Sequence, residues 1–176
     1  MITRPGQESP EIRAPAVLLQ YQQDWVKDQA DVKVWEKSRR IGASWNEAAE
    51  DTLLAAMQEE AGGMDVLYIG YNKEMALEFI GDCAMWARHY NKAASEVEEF
   101  VFKDGGKDNK EIQAYRIRFA SGHEIVALSS RPANLRGKQG KIVIDEAAFH
   151  DDLRGLLKAA LAHRMWGGKI VILSTH

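Results

Sequence analysis

The sequence predicts an α/β fold, a largely parallel central sheet flanked by helices, on three observations. Short β-prone apolar runs alternate with helical patterns along most of the chain. A β run, a polar loop and a strong helical pattern follow one another around Gly42. The β-branched run Ile142-Val143-Ile144 ends in two adjacent carboxylates, Asp145 and Glu146.

Met1 to about Pro15 is rich in Pro, Gly, Ser and charge and reads as a flexible arm, which puts the domain at 17–176 and the arm at 1–16. Leu18, Tyr21, Trp25 and Val26 then recur in a roughly helical pattern over Val17–Asp28, and Val32–Trp35 is a short strand. Trp45, Ala48, Ala49, Thr52, Leu53, Ala56 and Met57 fall on one helical stripe, so a helix is expected over Trp45–Glu60, closed by Gly62-Gly63. Val66–Ile69 is a second strand, and Met75, Phe79, Cys83 and Trp86 mark one face of a second helix. Lys103–Lys110 reads as a loop. Tyr115, Ile117 and Phe119 alternate with Arg116 and Arg118 before Ser121-Gly122 and Ile125–Leu128, the pattern of a β-hairpin. Strands at Ile142–Ile144 and Ile170–Leu173 flank a helix over about Asp152–Ala162.

Composition narrows the function classes. The 176 residues carry a formal net charge of -3, against a stand-alone DNA-binding module with a broad cationic face. One cysteine, Cys83, allows no intrachain disulfide, and the five histidines show no pair at metal-ligand spacing. No apolar run approaches the ~20 residues that span a bilayer and no signal pattern opens the chain, so a cytoplasmic protein with no membrane partner is expected.

The loop Lys37-Ser38-Arg39-Arg40-Ile41-Gly42-Ala43-Ser44 lies where a strand feeds a helix, the context in which backbone N–H groups and a helix N-terminus hold a phosphate. Gly42 allows close approach, and the Ser44 hydroxyl can ligate Mg²⁺. The usual phosphate-loop pattern would place lysine at 43, where this chain has Ala43. Lys37, at the start of the loop, can instead curl over the phosphates, with Arg39 and Arg40 as further cationic donors. Read alone, the same segment is also an ordinary polar strand–helix turn.

Asp145 and Glu146 lie beyond the C-terminal end of a buried strand, where open parallel sheets bind ligands. Asp145 suits Mg²⁺, and Glu146 suits the base that deprotonates an attacking water, the parts phosphoryl transfer requires. Their other reading is a cap on the next helix. Gln22 can pair with an adenine edge or be a surface glutamine. Ser174 and Thr175 follow the last strand and are either sensors of hydrolysis or turn residues. Arg136 is either an arginine finger acting across a subunit boundary or part of a solvated or DNA-facing basic stretch with Arg131, Lys138 and Lys141. Asp151-Asp152 reads as a helix N-cap pair and not as a nuclease site.

These motifs resemble those of the large subunits of phage terminases, with the Mu-like phages and prophages as the nearest subfamily. The similar segments are Leu18–Trp25, Lys37–Ser44, Ser129–Pro132, Arg136-Gly137, Ile144–Phe149 and Ile172–His176. The resemblance implies a P-loop NTPase of the RecA/ASCE type that uses ATP and Mg²⁺. It implies Gln22 as adenine contact; Lys37, Ser38, Arg39, Arg40, Gly42, Ala43 and Ser44 as the phosphate loop; and Arg39 reaching the γ-phosphate within the subunit. It further implies Asp145 and Ser44 at the metal, Glu146 as base, Arg136 acting between subunits, and Ser174 and Thr175 as coupling motif. Double-stranded viral DNA, a portal protein, a small terminase subunit and a homo-oligomeric ring are the implied partners. The implied location is the bacterial cytoplasm, transiently on the procapsid portal. The family's lid region and C-terminal RNase H-like nuclease have no counterpart here, so no nuclease activity is expected of this chain. A helicase- or translocase-like ATPase of another superfamily, and a non-catalytic prophage remnant, are the alternative readings.

Overall fold

The computed structural model describes residues 17–90, 94–103 and 111–175, with side chains from 94–103 and 111–114 excluded. The expected arm at 1–16, loop residues 104–110 and His176 lie outside the described residues. Seven strands form one sheet: β1 Val32–Glu36, β2 Val66–Ile69, β3 Ala94–Lys103, β4 Glu111–Phe119, β5 Glu124–Leu128, β6 Lys141–Ile144 and β7 Ile170–Ser174. Their order is β1-β7-β6-β2-β5-β4-β3. The pairs from β1 through β5 are parallel, and β5-β4-β3 is an antiparallel meander. The β4–β5 hairpin is the one the alternating pattern predicts, but β3 was not expected from the sequence. With Glu96, Glu98 and Glu99 in its span, β3 lacks the apolar alternation that marks a strand.

Helices α1 Gln20–Lys27, α2 Ala43–Ala56, α3 Lys73–His89 and α4 Leu153–His163 complete the domain. The inner parallel strands β2, β5 and β6 are buried on both faces, which explains their near-continuous apolar runs, whereas edge strand β1 leaves Val34 exposed. Val66, Tyr68, Val143 and Val171 face a core with Ala48 and Ala49 of α2 and Phe79, Ile80 and Cys83 of α3. Leu67, Ile69, Ile142, Ile144 and Ile170 face the other side, against Leu156 and Ala160 of α4. Among the described residues, no helix is long and apolar enough to cross a membrane.

Helix α2 corrects two expectations. It stops at Ala56, where Met57 turns extended, and Gly63 instead lets the returning chain pass the Met57 carbonyl, which a Cβ would meet at 2.0 Å. Its buried face also differs from the apolar stripe: Leu53 and Met57 are exposed, whereas Glu47 and Asp51 are fully buried.

Those carboxylates are answered by Lys141, which is not part of a solvated basic stretch. Its side chain is 1% exposed, and Nζ lies 2.5 Å from Glu47, 2.7 Å from Asp51 and 3.2 Å from Glu50. Lys33 pairs with Glu50 at 2.9 Å, and the Trp25 indole N–H donates to Glu47 at 2.7 Å. Burial raises the Asp51 carboxyl well above its usual range, against the pull of Lys141. For Lys141, burial favours the neutral form, but Asp51, Glu47 and Glu50 outweigh it and keep the ammonium protonated. Removing one member of such a group strands the others. Lys141→Met is therefore expected to cost about 3–5 kcal/mol of unfolding free energy in urea titrations. The stranded carboxylates would have raised pKa values, so the deficit should shrink as pH falls from 8 to 5, when they take up protons.

Candidate active site

The loop after β1 and the acids after β6 line one cavity of about 370 Å³, whose walls include Lys37, Ser38, Arg40, Gly42, Ala43 and Ser44 with Asp145 and Glu146, and on the far side Tyr68 of β2 and Glu78 and Asp82 of α3. The phosphate loop leaves β1 at Lys37, whose N–H donates to the Ser174 carbonyl at 2.9 Å. The loop turns through two left-handed residues, Arg40 at φ 60° and Gly42 at φ 70°. Gly42 is required twice over, because a Cβ there would also meet the Gln22 amide nitrogen at 2.9 Å. Helix α2 then begins, placing the Ser44 hydroxyl in its first turn, where backbone N–H groups lack intrahelical acceptors and favour an anion.

Helix α1 clasps this loop. Tyr21 donates its hydroxyl to the Ile41 carbonyl at 2.7 Å, and the Gln22 amide nitrogen reaches the carbonyls of Ile41 and Gly42 at 3.4 and 3.2 Å. The Gln22 carbonyl oxygen accepts the Leu19 N–H at 2.9 Å. Gln22 is thus buried, with both ends of its amide engaged by backbone.

The acidic pair is held from several sides. The fully buried Asp145 accepts the Ser44 hydroxyl at 2.5 Å and the Tyr68 hydroxyl at 2.9 Å on Oδ2, and the Glu146 N–H at 2.8 Å on Oδ1. Lys37 Nζ donates to Glu146 Oε1 at 2.7 Å and lies 3.7 Å from Asp145 Oδ1. Thr175 donates its hydroxyl to Glu146 Oε2 at 2.8 Å, and Ser174 Oγ accepts the Ala148 N–H at 3.0 Å. Burial alone would raise the Glu146 carboxyl, but the hydrogen bonds from Lys37 and Thr175 hold it below the usual range. Glu146 has φ 50° and ψ 49°, a left-handed conformation that strains a side-chain-bearing residue.

Three residues sit outside this group. Arg39 is exposed on the turn and does not line the cavity. Arg136 is exposed on a different cavity, between the short 3₁₀ turn Pro132–Leu135 and α4. Asp152 caps α4 by accepting the Gly155 N–H at 2.9 Å, as the sequence predicts.

Two supporting residues escaped the sequence reading. Tyr68 stacks on Phe79 with centroids 3.8 Å apart, and burial with the nearby Asp145 pushes its phenol pKa up, so the hydroxyl remains a donor. A tyrosine in an apolar strand reads as core, so only its partner reveals the role. The His150 ring bridges the Asp145 carbonyl at 2.8 Å and Ser130 Oγ at 2.5 Å. No spacing in the sequence signals that bridge.

The hydroxyl of Ser44 and the carboxylate of Asp145 form a hard-oxygen donor pair. That set fits Mg²⁺, which typically takes one or two protein oxygens and completes its shell from phosphates and water.

Fold and site geometry together resemble those of the ATPase domains of phage large terminases. The large terminase ATPase domain of Thermus phage P74-26 superimposes with a TM-score of 0.58 at 18% identity, over 87% of this chain and 62% of that one. The large terminase of bacteriophage HK97 gives 0.54 at 15% identity, over 93% of this chain and 34% of its own. In sequence, the chain is similar to part of two gp28 proteins, one of a Mu-like prophage and one of phage Mu. It is 55% identical over 161 residues to the Mu-like prophage FluMu protein gp28 of Haemophilus influenzae, and 48% identical over 178 aligned positions to the probable terminase large subunit gp28 of Escherichia phage Mu. These alignments take in 92% and 100% of this chain but 31% and 32% of the relatives, so the chain spans about a third of their length. No family model matches the chain.

Tyr68→Phe removes one donor to Asp145 while keeping the ring stack. Losing a partner of a metal-site carboxylate costs about 10–100-fold in metal affinity or activity. The Mg²⁺ concentration that half-saturates binding of a fluorescent ATP analogue should therefore rise about tenfold. An unchanged Mg²⁺ dependence, with an unchanged melting curve, would remove Tyr68 from the site.

Proposed function

We propose that this chain is the ATP-hydrolysing part of a motor that packages viral DNA. The observation that carries this reading is the convergence of Lys37, Ser44, Asp145, Glu146 and Thr175 at the ends of three adjacent parallel strands. Lys37 and the first turn of α2 bind the phosphates of ATP, with Ser38, Arg40, Gly42 and Ala43 shaping the loop around them. Ser44 and Asp145 hold Mg²⁺, which when bound neutralises charge on the phosphates.

Glu146 orients the attacking water and accepts its proton. With Lys37 on its carboxylate, Glu146 is a weak base. When the phosphates of ATP draw the Lys37 ammonium away, that stabilisation goes and the basicity of Glu146 rises. Thr175, bonded to the same carboxylate, registers the change at the end of β7, which supports Ser174 and Thr175 as the coupling motif. Gln22 ties α1 to the loop, so an adenine contact at α1 would be transmitted to the phosphates. Arg39, on the exposed turn, reaches the γ-phosphate by rotating inward. Arg136, on another face, serves the site of a neighbouring subunit in a ring.

By homology, the substrate moved is double-stranded viral DNA, and the partners are a portal protein and a small terminase subunit. The setting is the cytoplasm of the bacterial host, on the procapsid portal. Residues 17–176 would then be the ATPase domain, and a nuclease activity would belong to another part of the protein.

Glu146→Gln is expected to lower turnover by about 10²–10⁴-fold while leaving binding of a fluorescent ATP analogue intact. Wild-type turnover in that variant would sink the assignment of the base.

A further inference from the structure

The peptide that joins Asp145 to Glu146 is the first to leave the sheet beyond β6. The Asp145 N–H still donates to the Ile69 carbonyl of β2 at 3.1 Å. In the next peptide, side chains hold both polar atoms instead. Its N–H donates to Asp145 Oδ1 at 2.8 Å, and its carbonyl oxygen lies 2.8 Å from His150 Nε2. A carbonyl oxygen can only accept, so Nε2 carries a proton, and Nδ1 of the neutral ring accepts the Ser130 hydroxyl. Ser130 lies in the connection between β5 and β6. The ring is buried, with Tyr71 meeting it edge-on at 6.4 Å between centroids. The 3₁₀ turn Ala147–Phe149 returns the chain so that His150 reaches a carbonyl five residues before it.

We propose that His150 is a positioning residue for hydrolysis, fixing this peptide and thereby aiming the Glu146 carboxylate into the cavity. That role rests on the reading of Glu146 as the base. The orientation of the peptide sets φ of Glu146, and its left-handed value of 50° persists only where the surroundings hold it. Lys37 and Thr175 hold the side chain, at 2.7 and 2.8 Å from the carboxylate oxygens. Once the phosphates of ATP draw Lys37 away, Thr175 and the main chain are what remain to direct the carboxylate. The contact from His150 therefore matters most in the nucleotide-bound state. Its partner Ser130 keeps the ring turned so that Nε2 faces the peptide.

The test compares His150→Leu, which removes the donor, with His150→Gln, whose amide can donate to the same carbonyl. His150→Leu should lower kcat by about 10–100-fold with binding of a fluorescent ATP analogue unchanged, and His150→Gln should recover most of that loss. Without nucleotide, the Glu146 amide proton should exchange about tenfold faster in His150→Leu, read by NMR, and near the wild-type rate in His150→Gln. In a Glu146→Gln background, His150→Leu should add nothing to the loss of turnover, because both changes act through one carboxylate. Melting curves establish that the variants fold. Should His150→Leu fail to melt cooperatively, Ser130→Ala gives the same readings at smaller size. Unchanged exchange of the Glu146 amide overturns the proposal. So does wild-type kcat in His150→Leu while Glu146→Gln is impaired, or a fully additive loss in the double variant. Faster exchange with wild-type turnover in both His150→Leu and Glu146→Gln defeats the base reading and leaves the hold of His150 on the peptide standing.

Discussion

The site depends on one constraint: β7 lies between β1 and β6, parallel to both. Because the three strands point the same way, the loop after β1, the hydroxyls after β7 and the acids after β6 emerge on one edge of the sheet. The strand carrying the phosphate loop and the strand carrying the acids are not neighbours. Lys37 must reach across the end of β7 to meet Glu146, and it passes Ser174 and Thr175 on the way. The lysine and Thr175 hold opposite oxygens of the same Glu146 carboxylate, which links the ends of the three strands. A sheet with β1 directly beside β6 would keep the chemistry and lose that intermediary.

Helix α2 is the second organising element, and it is fixed at both ends by different physics. Its start is shaped by backbone geometry, with Gly42 turned left-handed under the Gln22 amide and α1 holding the carbonyls of the loop. Farther along, it is fixed by charge, through Glu47, Glu50 and Asp51 meeting Lys141 at the beginning of β6. The acidic strand is thus joined to the phosphate-loop helix at both of its own ends, by Ser44–Asp145 at one and Lys141 at the other. Burying a lysine among three carboxyl groups gives little net stability, but it leaves few alternative ways to seat the helix on the sheet.

Much of this was legible in the chain. Val66–Ile69 and Ile142–Ile144 read as buried strands because both their faces meet helices, and the order strand, polar loop, helix located the loop that lines the cavity beside Asp145 and Glu146. What escaped was set by partners distant in sequence. Glu47 and Asp51 look like the wet side of a helix until Lys141, some ninety residues on, is placed beneath them. Tyr68 looks like core until Asp145 arrives at its hydroxyl. Gln22 read as a residue facing a ligand or solvent, whereas its amide is taken up by the loop it adjoins. Periodicity reports which face of an element is apolar and is silent on which polar groups find one another inside.

The left-handed backbone at Glu146 sets two demands on one position against each other. Glycine or asparagine would accept that conformation with less strain, a relief on the order of 1 kcal/mol, but neither side chain can take a proton from water. In the proposed mechanism, a residue that satisfies the fold would leave the reaction without its base, and the residue the reaction needs burdens the fold. If Glu146 is the base proposed above, a trade between durability and turnover is written into the main chain itself.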